Sequence, residues 1–180
     1  MKLDVVRIYK EGFAPPIAWN ASGGIHPIYI REGETYGQRI DREMSARNRP
    51  FIILEHDIAA DPRALHGMDD LAAATQYERI IAAPYYLWDV RPRLAHRVRR
   101  AGALEWATLD DVEYDQVGFG AIYIPRSLWD RAWIGERVAW DGKAGQDYPV
   151  LDTTMSRAWE TCGVRMLRAP HEVVHLHFTL

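Results

Sequence analysis

The segment Pro50–Pro62, with the sequence PFIILEHDIAADP, decides how the rest of the chain is interpreted. Its first part, Phe51–Leu54, is a short continuous apolar run, which is typical of a strand buried on both faces of a parallel sheet. The run ends in Glu55-His56-Asp57, and Asp61-Pro62 then has the pattern of an N-cap followed by proline at the first helical position. The segment therefore predicts a strand, an acidic tip, a loop and a helix.

The acidic tip falls where an open α/β sheet binds its ligands, at the carboxyl ends of the strands. If the backbone stays extended, Glu55 and Asp57 project from the same face, because side chains alternate along a strand. Two carboxylates held there without a cation are costly, so the tip indicates a site for a hard divalent metal ion. The alternative is that both residues are solvated acids of a loop.

The composition is that of an ordinary globular protein, with 180 residues, 48% apolar and 26% charged. This length fits a single domain over residues 1–180, and the net charge of −3 gives no argument for binding to nucleic acid or to an anionic membrane. The single cysteine, Cys162, excludes an internal disulfide and indicates a reducing compartment. Its place on the apolar face of a predicted helix favours a core residue and not a nucleophile. Without a signal-peptide pattern or a run of ~20 apolar residues, we expect a cytoplasmic protein.

Strands and helices alternate along the chain, which predicts an α/β fold with a mostly parallel sheet flanked by helices in one domain. The segments predicted as strands are Leu3–Tyr9, His26–Arg31, Phe51–Leu54, Arg79–Pro84, Val117–Pro125, Val164–Leu167 and Val173–Phe178. The predicted helices are Gly33–Asn48, Pro62–Gln76, Arg126–Trp133 and Asp152–Cys162. The predicted irregular segments are Lys10–Gly24, Tyr85–Gln116 and Gly135–Gln146.

Two further groups suggest chemistry. His175 and His177 share one face of the last predicted strand, where two imidazoles can bind one metal, or one can bind it while the other donates a hydrogen bond. The alternative is a pair of surface histidines in a frayed terminus. Asp152 opens a helix, so it is either an N-cap or a general base that accepts a proton from a hydroxyl nucleophile.

A basic run lies inside the long segment Tyr85–Gln116, and its members are Arg91, Arg93, His96, Arg97, Arg99 and Arg100. The favoured interpretation is a solvated helix face. The alternative is a site for phosphate, because the guanidinium fork matches phosphate oxygens. A segment of this length without regular structure is typical of a lid or a substrate-binding loop. The glycines Gly118 and Gly120, in the strand that follows, allow another backbone or a ligand to come close.

The order of these parts carries more information than any one of them. A helix and an apolar strand lead into Glu55-His56-Asp57, and a glycine-containing strand later runs into a short helix over Val117–Trp129. Asp152 then opens a helix, and a glycine turn and a strand precede Val173–His177. This order, from roughly Tyr36 to His177, resembles that of family 2-like glycosyltransferases with the GT-A fold, in the nucleotide-diphospho-sugar transferase superfamily.

The resemblance implies transfer of a sugar from a nucleotide-diphospho-sugar to an acceptor hydroxyl, with inversion at the anomeric carbon. It implies a metal ion, Mn²⁺ or Mg²⁺, with Glu55, Asp57, His175 and His177 as candidate ligands, and Asp152 as the catalytic base. The candidates for contacts with the nucleotide are Tyr9, Asn20 and Arg49.

Two alternatives stay open. One is a non-catalytic binding or structural module, which retains the sheet of the fold but has no catalytic activity. The other is a sugar nucleotidyltransferase, which the poor match of Lys10-Glu11-Gly12 to a phosphate-binding loop makes less favoured. Convergence of Asp57 and His175 in space would favour an enzyme, because a binding module has no need for it.

Overall fold

The structure is a computed structural model, and it describes residues 3–9, 25–87, 91–133 and 151–176. The predicted loops over Gly135–Gln146 and Lys10–Gly24, the second of which contains Asn20, lie outside the described residues. His177, a candidate metal ligand, also lies outside them.

The described elements follow the predicted alternation. The helices are α1 (Tyr36–Ala46), α2 (Pro62–Ala74), α3 (Arg126–Ala132) and α4 (Leu151–Thr161). The strands are β1 (Asp4–Tyr9), β2 (Ile25–Tyr29), β3 (Phe51–Glu55), β4 (Ile58–Ala59), β5 (Ile81–Ala82), β6 (Tyr86–Leu87), β7 (Arg93–Leu94), β8 (Arg97–Arg100), β9 (Ala103–Trp106), β10 (Glu113–Tyr114), β11 (Ala121–Tyr123), β12 (Met166–Arg168) and β13 (Val174–His175).

A seven-stranded sheet forms the centre, in the order β10-β12-β5-β11-β3-β1-β2. β1 runs parallel to both β2 and β3, and β5 runs parallel to β12. β11 is antiparallel to β3 and β5, and β10 is antiparallel to β12. All strands except β10 and β11 therefore share one direction, and the predicted α/β fold with a mostly parallel sheet is confirmed.

Helices cover both faces of this sheet, which explains why the strand after Pro50 is a continuous apolar run. Ile53 belongs to one buried cluster with side chains of α1, α3 and α4, among them Ile40, Trp129 and Trp159. Ile52 and Leu54 belong to the other cluster, with side chains of α2. Because successive side chains of a strand point to opposite faces, every position of β3 before its tip must be apolar.

The predicted start of α2 is confirmed in detail. Asp61 is the N-cap, and its carboxylate accepts a hydrogen bond of 2.6 Å from the backbone N–H of Arg63. Pro62 occupies the first helical position, where its missing N–H costs nothing. Gly163 follows α4 with a φ of 70°, as expected of a glycine that ends a helix.

The segment Tyr85–Gln116 is more regular than predicted. In place of a long loop or a helix face, its described residues form β6 paired with β7 and β8 paired with β9, both antiparallel. Short hairpins without a strong apolar alternation give a weak sequence signal, which is why the pattern suggested a loop. The last strand also differs from the prediction, because β13 pairs with β4 outside the central sheet. Cys162, predicted in the core, is exposed.

His96, counted above in the basic run, is fully buried with 0% of its surface exposed. Its Nδ1 accepts a hydrogen bond of 3.2 Å from the backbone N–H of Gly118, and its Nε2 donates one of 3.0 Å to the carbonyl of Ala83. This arrangement requires the neutral imidazole. Burial lowers the pKa of His96 to about 4, so the residue supports the fold as an uncharged bridge between three segments.

We expect His96 to make the protein acid-sensitive. Between pH 6.5, the ordinary pKa of histidine, and about 4, the unfolded chain binds a proton that the folded chain does not. The free energy of unfolding should therefore fall as the pH drops through this window, by up to ~1.4 kcal/mol per pH unit. In urea unfolding at several pH values, His96→Gln should flatten this slope, and His66→Gln, at an exposed position of α2, should leave it unchanged. Equal slopes for the wild type and His96→Gln would contradict the assignment.

In the part of the chain that the structure describes, no helix is long and apolar enough to cross a membrane.

Candidate functional site

The tip of β3 brings two of the predicted site residues together with the C-terminal segment. After Glu55 the chain turns, and β4 pairs with β13 so that His175 lies opposite Ile58. This pairing places Asp57 beside His175, and His175 Nε2 donates a hydrogen bond of 3.0 Å to Asp57 Oδ2. The backbone N–H of Leu176 also donates to the carbonyl of Asp57, at 2.7 Å. Asp57 and His175, 118 residues apart in the sequence, therefore meet at the carboxyl edge of the sheet.

Asp152 lies in the first turn of α4, and its negative charge acts on Glu55 at the tip of β3. Its carboxylate accepts hydrogen bonds from the backbone N–H of Thr153, at 2.5 Å, and from the Thr153 hydroxyl, at 3.3 Å. Burial nevertheless raises the pKa of Asp152 above its ordinary value, although both hydrogen bonds act in the opposite direction. A carboxylate with a raised pKa is a stronger base, so Asp152 has the property that proton abstraction requires.

The carboxylates of Asp57 and Asp152 both act on Glu55. Burial, followed by the negative charges of Asp57 and Asp152, raises the pKa of Glu55 to about 8. Like charges raise a carboxyl pKa in this way only when they are close, so the structure assembles the predicted acidic residues into one group. At neutral pH the group holds a proton on Glu55 unless a cation neutralises it.

Two tyrosines, Tyr36 and Tyr85, complete this group. The pKa of each is raised well above 10, first by burial and then by the negative charge of Glu55. The buried Tyr36 hydroxyl has no hydrogen-bond partner among the described residues. A phenol that stays protonated can donate a hydrogen bond to a ligand that enters the site. The sequence assigned Tyr36 only to a helix face, and no local pattern indicated Tyr85.

The side chain of Tyr85 packs directly against Gly118 and Gly120, which leave room for it because they have no Cβ. A Cβ on Gly118 would lie 2.2 Å from the Tyr85 hydroxyl oxygen, and a Cβ on Gly120 would lie 2.7 Å from the Tyr85 ring. Both distances are far below a normal contact, so larger residues would displace Tyr85. These glycines do permit a close approach, but the nearest group is the Tyr85 side chain and not the backbone or ligand that the sequence predicted.

The donor set fits a hard divalent cation that it would share with phosphate. Asp57 Oδ1 is buried and has no hydrogen-bond partner among the described residues, while Oδ2 is held by His175. Within residues 3–9, 25–87, 91–133 and 151–176, no group of three or more His, Cys, Asp or Glu side chains is arranged to hold a metal ion. Mg²⁺ sites commonly use one or two carboxylates and complete their coordination with substrate phosphates and water, so two carboxylates are sufficient.

The other sequence candidates lie apart from the carboxylates. Tyr9 ends β1, is fully buried, and stacks on Tyr29 with 5.6 Å between ring centroids. Its neighbour Ile8 is opposite Glu55 in the sheet, so Tyr9 shares the edge but points to the other face. Arg49 precedes β3 and lines a separate cavity of about 230 Å³. The structure therefore does not bring Arg49 to the site, because residues before and after a strand lie at opposite edges of the sheet.

A cavity of about 380 Å³ adjoins Asp152, and no sequence pattern indicated that its lining residues meet. Its lining includes Arg97, Trp106, Gln116, Asp152, Thr153 and Arg157. The volume is in the range of small-molecule sites. Apart from Gln116, which follows β10, these residues come from β8, β9 and α4, so only the tertiary structure brings them together.

Comparisons with known proteins bear on the fold. No protein-family model matches the chain, and no curated protein matches it by sequence. Among solved structures, A197 from STIV is similar with a TM-score of 0.57 and 11% identity, over 99% of this chain and 96% of that one. The CMP:2-keto-3-deoxy-manno-octonic acid synthetase complexed with CTP is similar with a TM-score of 0.50 and 10% identity, over 97% of this chain and 90% of that one. The chain therefore shares its fold with a sugar-nucleotide synthetase, and at such identities the likeness shows the fold alone.

Proposed function

We propose that the chain is a metal-dependent glycosyltransferase, which moves a sugar from a nucleotide-diphospho-sugar to an acceptor hydroxyl with inversion. The observation that supports this most is the convergence of Glu55, Asp57, Asp152 and His175 at the carboxyl edge of the sheet. Open α/β sheets bind ligands at this edge, and a group of mutually repelling carboxylates is costly unless function requires it.

Glu55 and Asp57 would hold Mn²⁺ or Mg²⁺, and the bound cation would neutralise the negative charge of the leaving diphosphate. His175 fixes Oδ2 of Asp57 and leaves Oδ1 for the ligand. A direct role of His175 or His177 as a metal ligand stays a prediction of the sequence. Contacts of Tyr9 or Asn20 with the nucleotide also stay predictions.

Asp152 would take the proton from the acceptor hydroxyl. Its raised pKa makes it a stronger base, and the hydrogen bonds from Thr153 fix the orientation of its carboxylate. The cavity beside Asp152 has room for the acceptor. The Tyr36 hydroxyl stays protonated, so it would donate a hydrogen bond to substrate and not compete for the proton.

A sugar nucleotidyltransferase is the second candidate, because a sugar-nucleotide synthetase shares the fold over 97% of this chain. The two reactions release different products. A glycosyltransferase releases a nucleoside diphosphate when it transfers the sugar of a nucleotide-sugar. A nucleotidyltransferase joins a nucleoside triphosphate to a sugar substrate and releases pyrophosphate from the triphosphate.

A product assay separates the candidates. The chain would be incubated with Mn²⁺ and UDP-, GDP- or TDP-sugars, and in parallel with nucleoside triphosphates and sugar phosphates. We expect release of a nucleoside diphosphate from one nucleotide class, with water as a slow acceptor, and no release of pyrophosphate. Release of pyrophosphate alone would favour the nucleotidyltransferase. If neither product forms with well-folded protein, the non-catalytic module is the better interpretation.

A further inference from the structure

The cavity beside Asp152 is lined by two arginines that form no salt bridge with any described residue. Arg97 extends from β8 and Arg157 from α4, and both line the cavity. The neighbouring arginines of β8 differ: Arg99 pairs with Glu160, and Arg100 pairs with Asp111 at 2.6 Å. Neither Arg97 nor Arg157 has an ion-pair partner in the described ranges. Because both line one cavity, their guanidinium groups are placed to bind a ligand there.

Trp106 fixes the position of Arg97. The two residues are opposite each other in the β8–β9 hairpin, and the Arg97 guanidinium carbon lies 4.1 Å from the centroid of the Trp106 ring. Arg93 stacks on the same ring, also at 4.1 Å. Stacking uses the face of a guanidinium and leaves the N–H donors in its plane available. Arg97 is thus half-buried and already oriented, which lowers the entropy cost of binding a ligand.

The negative charges around Asp152 mean that the two arginines indicate the charge of the acceptor. The negative charges of Asp57 and Asp152, which already keep a proton on Glu55, would also repel an anion that approached the site. A neutral acceptor would need no cation in the cavity, whereas an acceptor with a phosphate or carboxylate would need positive charge to offset this repulsion. The guanidinium fork matches both anions with two parallel hydrogen bonds.

We propose that the cavity lined by Arg97, Trp106 and Arg157 binds the anionic group of a sugar phosphate or sugar acid that serves as the acceptor. The identification of this ligand as acceptor rests on the proposed function, whereas the anion site itself does not. Arg97 and Arg157 bind the anion, the Trp106 ring supports Arg97, and a hydroxyl of the same molecule faces Asp152 in the cavity that all of them line.

Calorimetric titration of the chain without nucleotide tests the site. The probes are glucose 6-phosphate, glucuronate and glucose at the same ionic strength. We expect the two anions to bind more tightly than glucose, and Arg97→Gln or Arg157→Gln to weaken their binding by about tenfold, because each removes charge-assisted hydrogen bonds. Arg97→Lys should recover part of the loss. Arg63→Gln, at an exposed arginine of α2, is the matched control and should leave the affinities unchanged.

The outcomes are distinct. Tight binding of glucose 6-phosphate alone identifies a phosphate acceptor, and binding of both anions identifies a general anion site. Equal binding of all three probes, or unchanged anion affinity in Arg157→Gln, overturns the proposal. Arg157 is exposed on α4, so this variant is not expected to disturb folding. Anion binding without any turnover of nucleotide-sugars would keep the anion site and reject the glycosyltransferase.

Discussion

Replacing Asp152 with asparagine is expected to lower the rate of nucleoside diphosphate release by about 10²- to 10⁴-fold, the usual contribution of a general base. The donor should bind as before, because Asp152 acts on the proton of the acceptor and not on the nucleotide. Asparagine has nearly the same shape and keeps an oxygen that can accept the hydrogen bonds from Thr153, so α4 should remain intact. The loss would then report the missing base and not a damaged fold.

The matched control is Asp70→Asn, which makes the same change of charge at an exposed position of α2. Its rate should equal that of the wild type. The pH profile adds a second readout: the wild-type rate should rise as Asp152 loses its proton, at a pH above the ordinary range of an aspartate because burial raises its pKa. A rate within a few-fold of wild type for Asp152→Asn would remove Asp152 from the mechanism.

The sequence was most informative where local rules act. A continuous apolar run is typical of a strand that is buried on both faces of a sheet, and Asp61-Pro62 is typical of a helix start. The bounds of β3 and α2 were therefore predictable nearly to the residue. The segment Tyr85–Gln116 was not, because its hairpins are stabilised by contacts that the sequence does not show, such as Arg93 and Arg97 on Trp106. His96 was misassigned for the same reason: a histidine buried by distant segments looks like any other member of a basic run.

The residues of the candidate site also divide into those that local sequence patterns identify and those that only tertiary contacts bring together. Glu55, Asp57 and Asp152 were identifiable because each follows or opens a regular element at the edge where α/β sheets bind ligands. Tyr36 and Tyr85 were not, since their hydroxyls act through their position beside carboxylates that are remote in sequence. Arg49 was placed wrongly: it lies before β3, at the edge opposite the carboxylates. Arg157 became visible as a cavity residue only once α4 was packed against the hairpins.

Asp57 is the residue on which the second large effect depends. Its Oδ1 is buried without a partner and its Oδ2 accepts a hydrogen bond from His175, so one oxygen is held and the other is open. Asparagine keeps an oxygen for His175 and removes the negative charge. We therefore expect Asp57→Asn to fold normally and to lose metal-dependent binding of the donor, because a neutral amide is a poor ligand for Mn²⁺ beside a diphosphate.

The most direct measurement is a thermal-shift titration of the wild type and Asp57→Asn with UDP-, GDP- and TDP-sugars, with and without Mn²⁺. A ligand that binds only the folded state raises the melting temperature by mass action, with ~2.7 kcal/mol of added stability at a hundredfold excess over the dissociation constant. We predict a shift for one nucleotide class that requires Mn²⁺, is absent in Asp57→Asn and is retained in Asp70→Asn. The absence of a shift with every nucleotide at millimolar concentration, or an equal shift in Asp57→Asn, would contradict the proposal that the carboxylates at the tip of β3 bind a nucleotide-sugar through a metal ion.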